Sequence, residues 1–152
     1  RCSKGVLITG HSLGAALASI AAADVHESTL SKNESMAHLR FPFEPTPEML
    51  RVYTFGEPRA FEWYAADWYN EHIAKVRWLN WGDVIPASPS PKWGFKHWGH
   101  AYEIRTDYIR LRHTWKRVPQ DFGTSSLLLE NHKMDPYIQR LTESCRSKLA
   151  ED

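Results

Sequence analysis

Five residues, Gly10-His11-Ser12-Leu13-Gly14, constrain this chain more than any other feature. Before them, Gly5–Thr9 (GVLIT) is a short, continuous apolar run of the kind that forms a buried strand. After them, Leu13–Glu27 reads as a helix, Ala-rich and apolar nearly all round until Asp24, His26 and Glu27. Strand must become helix within a residue or two, around a serine. So sharp a turn calls for glycine two places before and two places after the serine, where a side chain would meet the adjoining strand and helix. The turn presents the hydroxyl and aims the backbone N–H of Leu13 where an oxyanion would form. Ser12 is thus a candidate nucleophile. The bland alternative is a tight turn whose serine only caps the helix.

The rest of the chain keeps alternating strand-like and helix-like segments. Ser28–Pro47 is a polar, proline-bearing surface connection, and Leu50–Phe55 (LRVYTF) reads as a second strand closed by Gly56 and Pro58. Phe61–Ile73 reads as a helix, with Phe61, Tyr64, Ala65, Trp68 and Tyr69 at spacings of three and four. Lys75–Leu79 (KVRWL) is a third strand, Pro86 to Trp98 a loop, and Ala101–Thr106 a fourth strand. In the last helix Asp135 can cap the amino end, Pro136 suits the first helical position, and Tyr137, Ile138, Leu141 and Cys145 form an apolar stripe. Strand–helix–strand–helix–strand order points to an α/β fold, a mostly parallel sheet with helices on both faces. At 152 residues, without internal repeats or low-complexity segments, the chain fits one domain.

Composition supports a packed core and excludes some functions. Leu, Ile, Val and Phe supply 32 of the 152 residues and the net charge is only +1, so the composition is not that of a disordered chain. Charge balance gives no polyanion signal for the whole chain, and no nucleic-acid partner is expected. The nearest uncharged apolar run, Leu13 to Ala23, bounded by Asp24, falls short of the ~18 apolar residues of a transmembrane segment. Cys2 and Cys145, near opposite ends, form no metal or disulfide pattern and read as single buried thiols. His97-Trp98-Gly99-His100 offers two ligands without a convincing third, so no metal is expected there. The run Arg105 to Arg117 interleaves basic residues with Tyr108 and Trp115, and reads first as a solvated basic loop.

A nucleophilic serine needs a base, and the base an orienting acid. In open α/β sheets the reacting groups gather beyond the carboxyl ends of the strands. Two acids sit there: Glu57 after the second strand and Asp83 after the third. Asp83 is the better candidate because a short carboxylate on a glycine-preceded turn is held rigidly. Glu57, in Gly-Glu-Pro-Arg, is explained more simply by a salt bridge with Arg59. Among eight histidines, His11 is expected to point away from its neighbour Ser12. His132, in the loop Glu130-Asn131-His132 before the last helix, completes the order Ser, Asp, His used by α/β-hydrolases. A surface loop histidine is the alternative.

Four ordered motifs resemble the class 3 (fungal-type) triacylglycerol lipases. Val6 to Ala18 (VLITGHSLGAALA) looks like that family's elbow, and Val52 to Arg59 (VYTFGEPR) its next strand and G-x-P-R turn. Asn80 to Pro86 (NWGDVIP) resembles its acid motif, Gly94 to Gly99 (GFKHWG) its glycine–aromatic–histidine segment, and His132 with Tyr137 its final histidine motif. The resemblance implies an α/β-hydrolase domain over residues 1–152, matching the carboxyl-terminal part of the family's fold. Ser12 would be nucleophile, Asp83 acid, His132 base and the Leu13 N–H an oxyanion donor. It further implies hydrolysis of acyl-ester lipids at a lipid–water interface through an acyl-enzyme, without a cofactor. The family's front half, with further sheet strands, a lid and a first oxyanion donor, has no counterpart in these residues. Without it the Gly5–Thr9 strand is expected to present an unpaired, apolar edge and the chain to turn over esters slowly. A non-catalytic, lipase-derived binding module is the rival reading.

Overall fold

The computed structural model describes residues 5–30, 49–105, 109–112 and 129–149. Strand β1 (Val6–His11) leads through the elbow into helix α1 (Leu13–Leu30). Then come β2 (Leu50–Phe55), a two-residue β3 (Phe61–Glu62), α2 (Trp63–His72) and β4 (Ala74–Asn80). Two 3₁₀ turns, Ile85–Ala87 and Pro91–Trp93, precede β5 (Phe95–Lys96), β6 (His100–Ile104) and β7 (Ile109–Arg112). Helix α3 (Met134–Leu149) ends the described chain.

The main sheet has the order β1-β2-β4-β6-β7, with β1, β2, β4 and β6 parallel and β7 antiparallel to β6. The expected α/β architecture is thus present. Alternation along β2 decides what each face carries. Leu50 and Val52 pack with Ala22 and Val25 of α1 and with Ala66, Ile73 and Trp98, so α1 and α2 cover one face. Phe55, of the opposite parity, meets Tyr137 of α3 edge-to-face at 6.0 Å, which places α3 on the other.

Several expectations are corrected. Phe61 and Glu62 are a strand, not the first turn of a helix, because they pair antiparallel with Lys96 and Phe95. The face of α2 that packs is Ala66 with Tyr69; Tyr64, expected on the apolar side, is exposed. Asp135 lies inside the first turn of α3, where its charge complements the helix dipole, instead of capping it from outside. Of the expected α3 stripe, Tyr137 is fully buried but Ile138 and Cys145 are exposed, so Cys145 is not a buried thiol. Cys2, the Ser28–Pro47 connection beyond residue 30, Thr106, and residues 113–128 of the basic run and beyond lie outside the described residues. No described helix is long and apolar enough to cross a membrane.

Helix α1 buries Ala15, Ala16, Ser19, Ala22 and Ala23, where small side chains let it sit close to the sheet. Its opposite stripe, Leu13, Leu17 and Ile20, is exposed, so among the described residues α1 is covered on one side only. Strand β1 is the terminal strand of the sheet order, and Leu7 on it is 64% exposed. An open apolar edge of this kind invites pairing with another chain. The 152-residue chain expressed alone is therefore expected to sediment above its 17.6 kDa monomer mass. Leu7→Lys with Leu17→Lys should shift it toward monomer; an unchanged distribution in the double variant would contradict this.

Candidate active site

The elbow is steric in origin. A Cβ on Gly10 would lie 2.2 Å from the Gly14 carbonyl oxygen, so strand and helix can approach only with glycine there. The second glycine behaves otherwise: a Cβ on Gly14 would meet no described atom within 4 Å. Ser12 itself takes φ +58°, a left-handed conformation that costs an L-residue roughly 1–2 kcal/mol. Its N–H bonds the Phe55 carbonyl at 3.0 Å, and its carbonyl accepts from Ala15 and Ala16 as α1 begins. The backbone N–H of Leu13 lies in the first helical turn, where such groups have no partner within the helix.

Asp83 stands at the carboxyl end of β4, buried, on a turn closed by Asp83 N–H to Asn80 O at 3.0 Å. It accepts from Ile85 N–H at Oδ1 (2.9 Å) and from the Tyr137 hydroxyl at Oδ2 (2.7 Å). His132 Nδ1–H donates to both oxygens, at 3.0 and 2.9 Å. On the far side of the ring, Ser12 Oγ donates to His132 Nε2 at 2.6 Å. The structure thus joins hydroxyl, imidazole and carboxylate in one hydrogen-bonded line. Such a line can draw the proton from the hydroxyl while the carboxylate stabilises the imidazolium that results.

The loop bearing His132 is held from several directions. His11 donates from Nε2 to the His132 carbonyl at 2.6 Å and stacks on its ring, centroids 4.8 Å apart. Asn80 Nδ2 donates to the Asn131 carbonyl at 2.9 Å, and Arg140 bonds Asn80 Oδ1 and reaches Asn131 Oδ1 at 3.3 Å. Tyr137 receives the Asn80 N–H at 2.9 Å while donating to Asp83. Burial and the neighbouring Asp83 charge push the Tyr137 phenol well above its ordinary value, so it remains a donor at any physiological pH. His11 was expected to point away from Ser12; what mattered was the ring it would stack on, 121 residues along the chain. Tyr137, read both as helix stripe and as the tyrosine that follows His132 in the final motif, proves to be the residue that holds Asp83.

Glu57 is not the acid of this line, nor is Arg59 its partner. Its carboxylate pairs with Lys75 at 2.6 Å, whereas Arg59 donates to the carbonyls of Ala87 and Pro89. The two histidines of the His97–His100 segment do not converge: His97 donates to Pro86 O at 2.8 Å and His100 is exposed at the start of β6. Arg105 stacks on Trp81 at 3.5 Å and pairs with Glu103.

His97 sets a pH limit on the fold. Burial, followed by the nearby Arg77, Lys75 and Arg59 charges, holds its imidazole well below the usual 6.5, and burial lowers His26 as well. The unfolded chain takes up these protons near 6.5 while the folded chain refuses them until lower pH, so stability is lost as pH falls below about 6.5. For His97 the loss approaches about 1.4 kcal/mol per pH unit in that window. His97→Gln, which keeps a donor for Pro86 O, should flatten the melting temperature between pH 6.5 and 5; an unchanged slope would exclude His97 as its source.

Comparison with known proteins places this geometry in a lineage. The family model for lipase (class 3) matches residues 3–93. The secreted mono- and diacylglycerol lipase MDL3 of Malassezia globosa is 31% identical over 134 residues, covering 81% of this chain and 39% of that protein. A triacylglycerol lipase described as having a serine-protease triad at its catalytic centre superposes with a TM-score of 0.55 at 30% identity, over 67% of this chain and 34% of that one. Lipase II from Rhizopus niveus gives a TM-score of 0.60 at 26% identity, over 72% of this chain and 38% of that one. The chain therefore spans well under half the length of these relatives. With the elbow, the sheet order and the matched family region agreeing, this chain belongs to the class 3 lipase family.

Proposed function

We propose that this protein is a serine carboxylic-ester hydrolase acting on acylglycerols, with residues 1–152 part of a single lipase-like domain. The observation that carries the reading is the hydrogen-bonded line from Ser12 through His132 to Asp83. Ser12 Oγ attacks the ester carbonyl carbon as its proton passes to His132 Nε2. The C–O bond to the glycerol then breaks, and the leaving alkoxide takes that proton. Water, deprotonated by the same imidazole, attacks the acyl-enzyme, releases the fatty acid and restores the Ser12 hydroxyl. Asp83 holds the Nδ1–H tautomer throughout, and the Leu13 N–H donates to the oxyanion in both halves.

Metal and cofactor play no part in these steps. The mono- and diacylglycerol lipase among the relatives supports a partial glyceride as substrate. Emulsions of mono-, di- and triolein, with fatty-acid release followed by titration, test the reading. Release from the partial glycerides is expected to exceed that from triolein. Absence of release from all three, with nitrophenyl esters equally inert, would favour a non-catalytic module.

A further inference from the structure

A second polar cluster lies one residue beyond the Gly56 turn and takes no direct part in the line of bonds from Ser12 to Asp83. Glu57 Oε1 accepts from Ser19 Oγ at 2.7 Å and from Lys75 Nζ at 2.6 Å, and its Oε2 accepts from Thr54 Oγ1 at 2.7 Å. Lys75 Nζ also donates to Ser19 Oγ at 2.6 Å and lies 4.3 Å from the Trp98 ring centroid. All four polar residues are buried. Arg77 on β4 adds positive charge near the same carboxylate. Burial draws the Lys75 ammonium down to about 8, and the neighbouring Glu57 carboxylate opposes that fall, so Lys75 keeps its proton at neutral pH.

A buried ion pair is weak evidence for stability, because desolvating two charges offsets much of their attraction. What this pair adds is geometry. Its three donors to Glu57 come from three different elements: Ser19 from α1, Thr54 from β2 and Lys75 from β4. Helix α1 begins at the Ser12 elbow, β2 ends at Gly56, and β4 leads to Asp83. Gly56 leaves no slack, since a Cβ there would lie 2.8 Å from Asp83 Oδ2 and 3.1 Å from the His132 ring.

We propose that Glu57 is a positioning residue: its carboxylate, balanced by Lys75 and gripped by Ser19 and Thr54, sets the register of the elbow, the Gly56 turn and the Asp83 turn. This inference rests on the triad reading. Its test therefore uses a fluorophosphonate probe, for which Ser12 Oγ forms a bond to phosphorus, fluoride leaves and the hydroxyl proton passes to His132. Labelling of the wild-type chain at Ser12, absent in Ser12→Ala, establishes the triad reading. Equal labelling of Ser12→Ala would sink that reading whatever Glu57 does.

Given labelling at Ser12, Glu57→Gln/Lys75→Met removes both charges with little change of shape. It is expected to melt within a few degrees of wild type yet label about tenfold more slowly, part of the ~10² that a 1 Å misplacement costs. A folded double variant labelling at the wild-type rate overturns the proposal while leaving the triad intact. Should that variant fail to fold, Thr54→Val and Thr54→Ser decide. The valine variant is expected to slow labelling at least threefold and the serine variant, which keeps the donor, to recover it. Equal rates in both variants overturn the proposal.

Discussion

Ser12→Ala is expected to lower ester turnover by on the order of 10⁴–10⁶ while leaving the fold intact. The magnitude follows from the way Ser12, His132 and Asp83 are coupled: without the hydroxyl, the imidazole has nothing to activate and the carboxylate nothing to balance. What survives is binding and the Leu13 N–H acting on the direct attack of water. Because Ser12 sits at φ +58°, alanine inherits the same strained backbone, and the melting temperature should move little. The comparison is made with a soluble nitrophenyl ester at saturating concentration, alongside His132→Ala. Loss of one residue should cost nearly as much as loss of both. Wild-type turnover in Ser12→Ala would remove this serine from the reaction.

Gly56→Ala is expected to reduce turnover about 10²-fold, although Gly56 bears no reacting group. Two effects coincide there. The residue takes φ +58°, which costs alanine about 1–2 kcal/mol. The added Cβ would also stand 2.8 Å from Asp83 Oδ2 and 3.1 Å from both Nδ1 and Cε1 of His132. Asp83 cannot simply withdraw, because Tyr137 and the Ile85 N–H hold its two oxygens. The imidazole must therefore rotate or shift, lengthening its bond to Ser12. A loss in kcat with KM nearly unchanged is the expected signature, since misalignment affects the reacting atoms and not the distant acyl chain. Gly56→Ala with wild-type kcat would mean that the Gly56 turn moves freely away from the acid.

Much of this was legible without coordinates because the relevant physics is local. A sharp strand-to-helix turn imposes glycine on its neighbours within five residues, so the elbow at Ser12 declares itself. Apolar runs bounded by Gly and Pro marked β1, β2, β4 and β6 for the same reason. Asp83 could be picked by its place after a strand and His132 by chain order, and the structure brings the two within hydrogen-bond distance of one another. The misreadings share a cause. Which stripe of α2 or α3 is buried depends on what lies opposite, so Tyr64, Ile138 and Cys145 had the right spacing and the wrong side. Glu57 was assigned its nearest cation in sequence, Arg59, because proximity along the chain is all a sequence displays.

By itself, then, the sequence determined the principal strands and helices, the mostly parallel character of the sheet and the three residue types able to carry ester hydrolysis, but not the short strands β3 and β5 or β7 within the run read as a basic loop. Each of these follows from local sterics, turn chemistry and periodicity. Only the tertiary structure decided who meets whom across more than a hundred residues. It stacks His11 on His132, gives the Tyr137 hydroxyl to Asp83, and closes Glu57 onto Lys75 in place of Arg59. Those pairings depend on the register of parallel strands, set by the packing of α1 and α2 on one face of the sheet and α3 on the other. No short window of sequence contains that register.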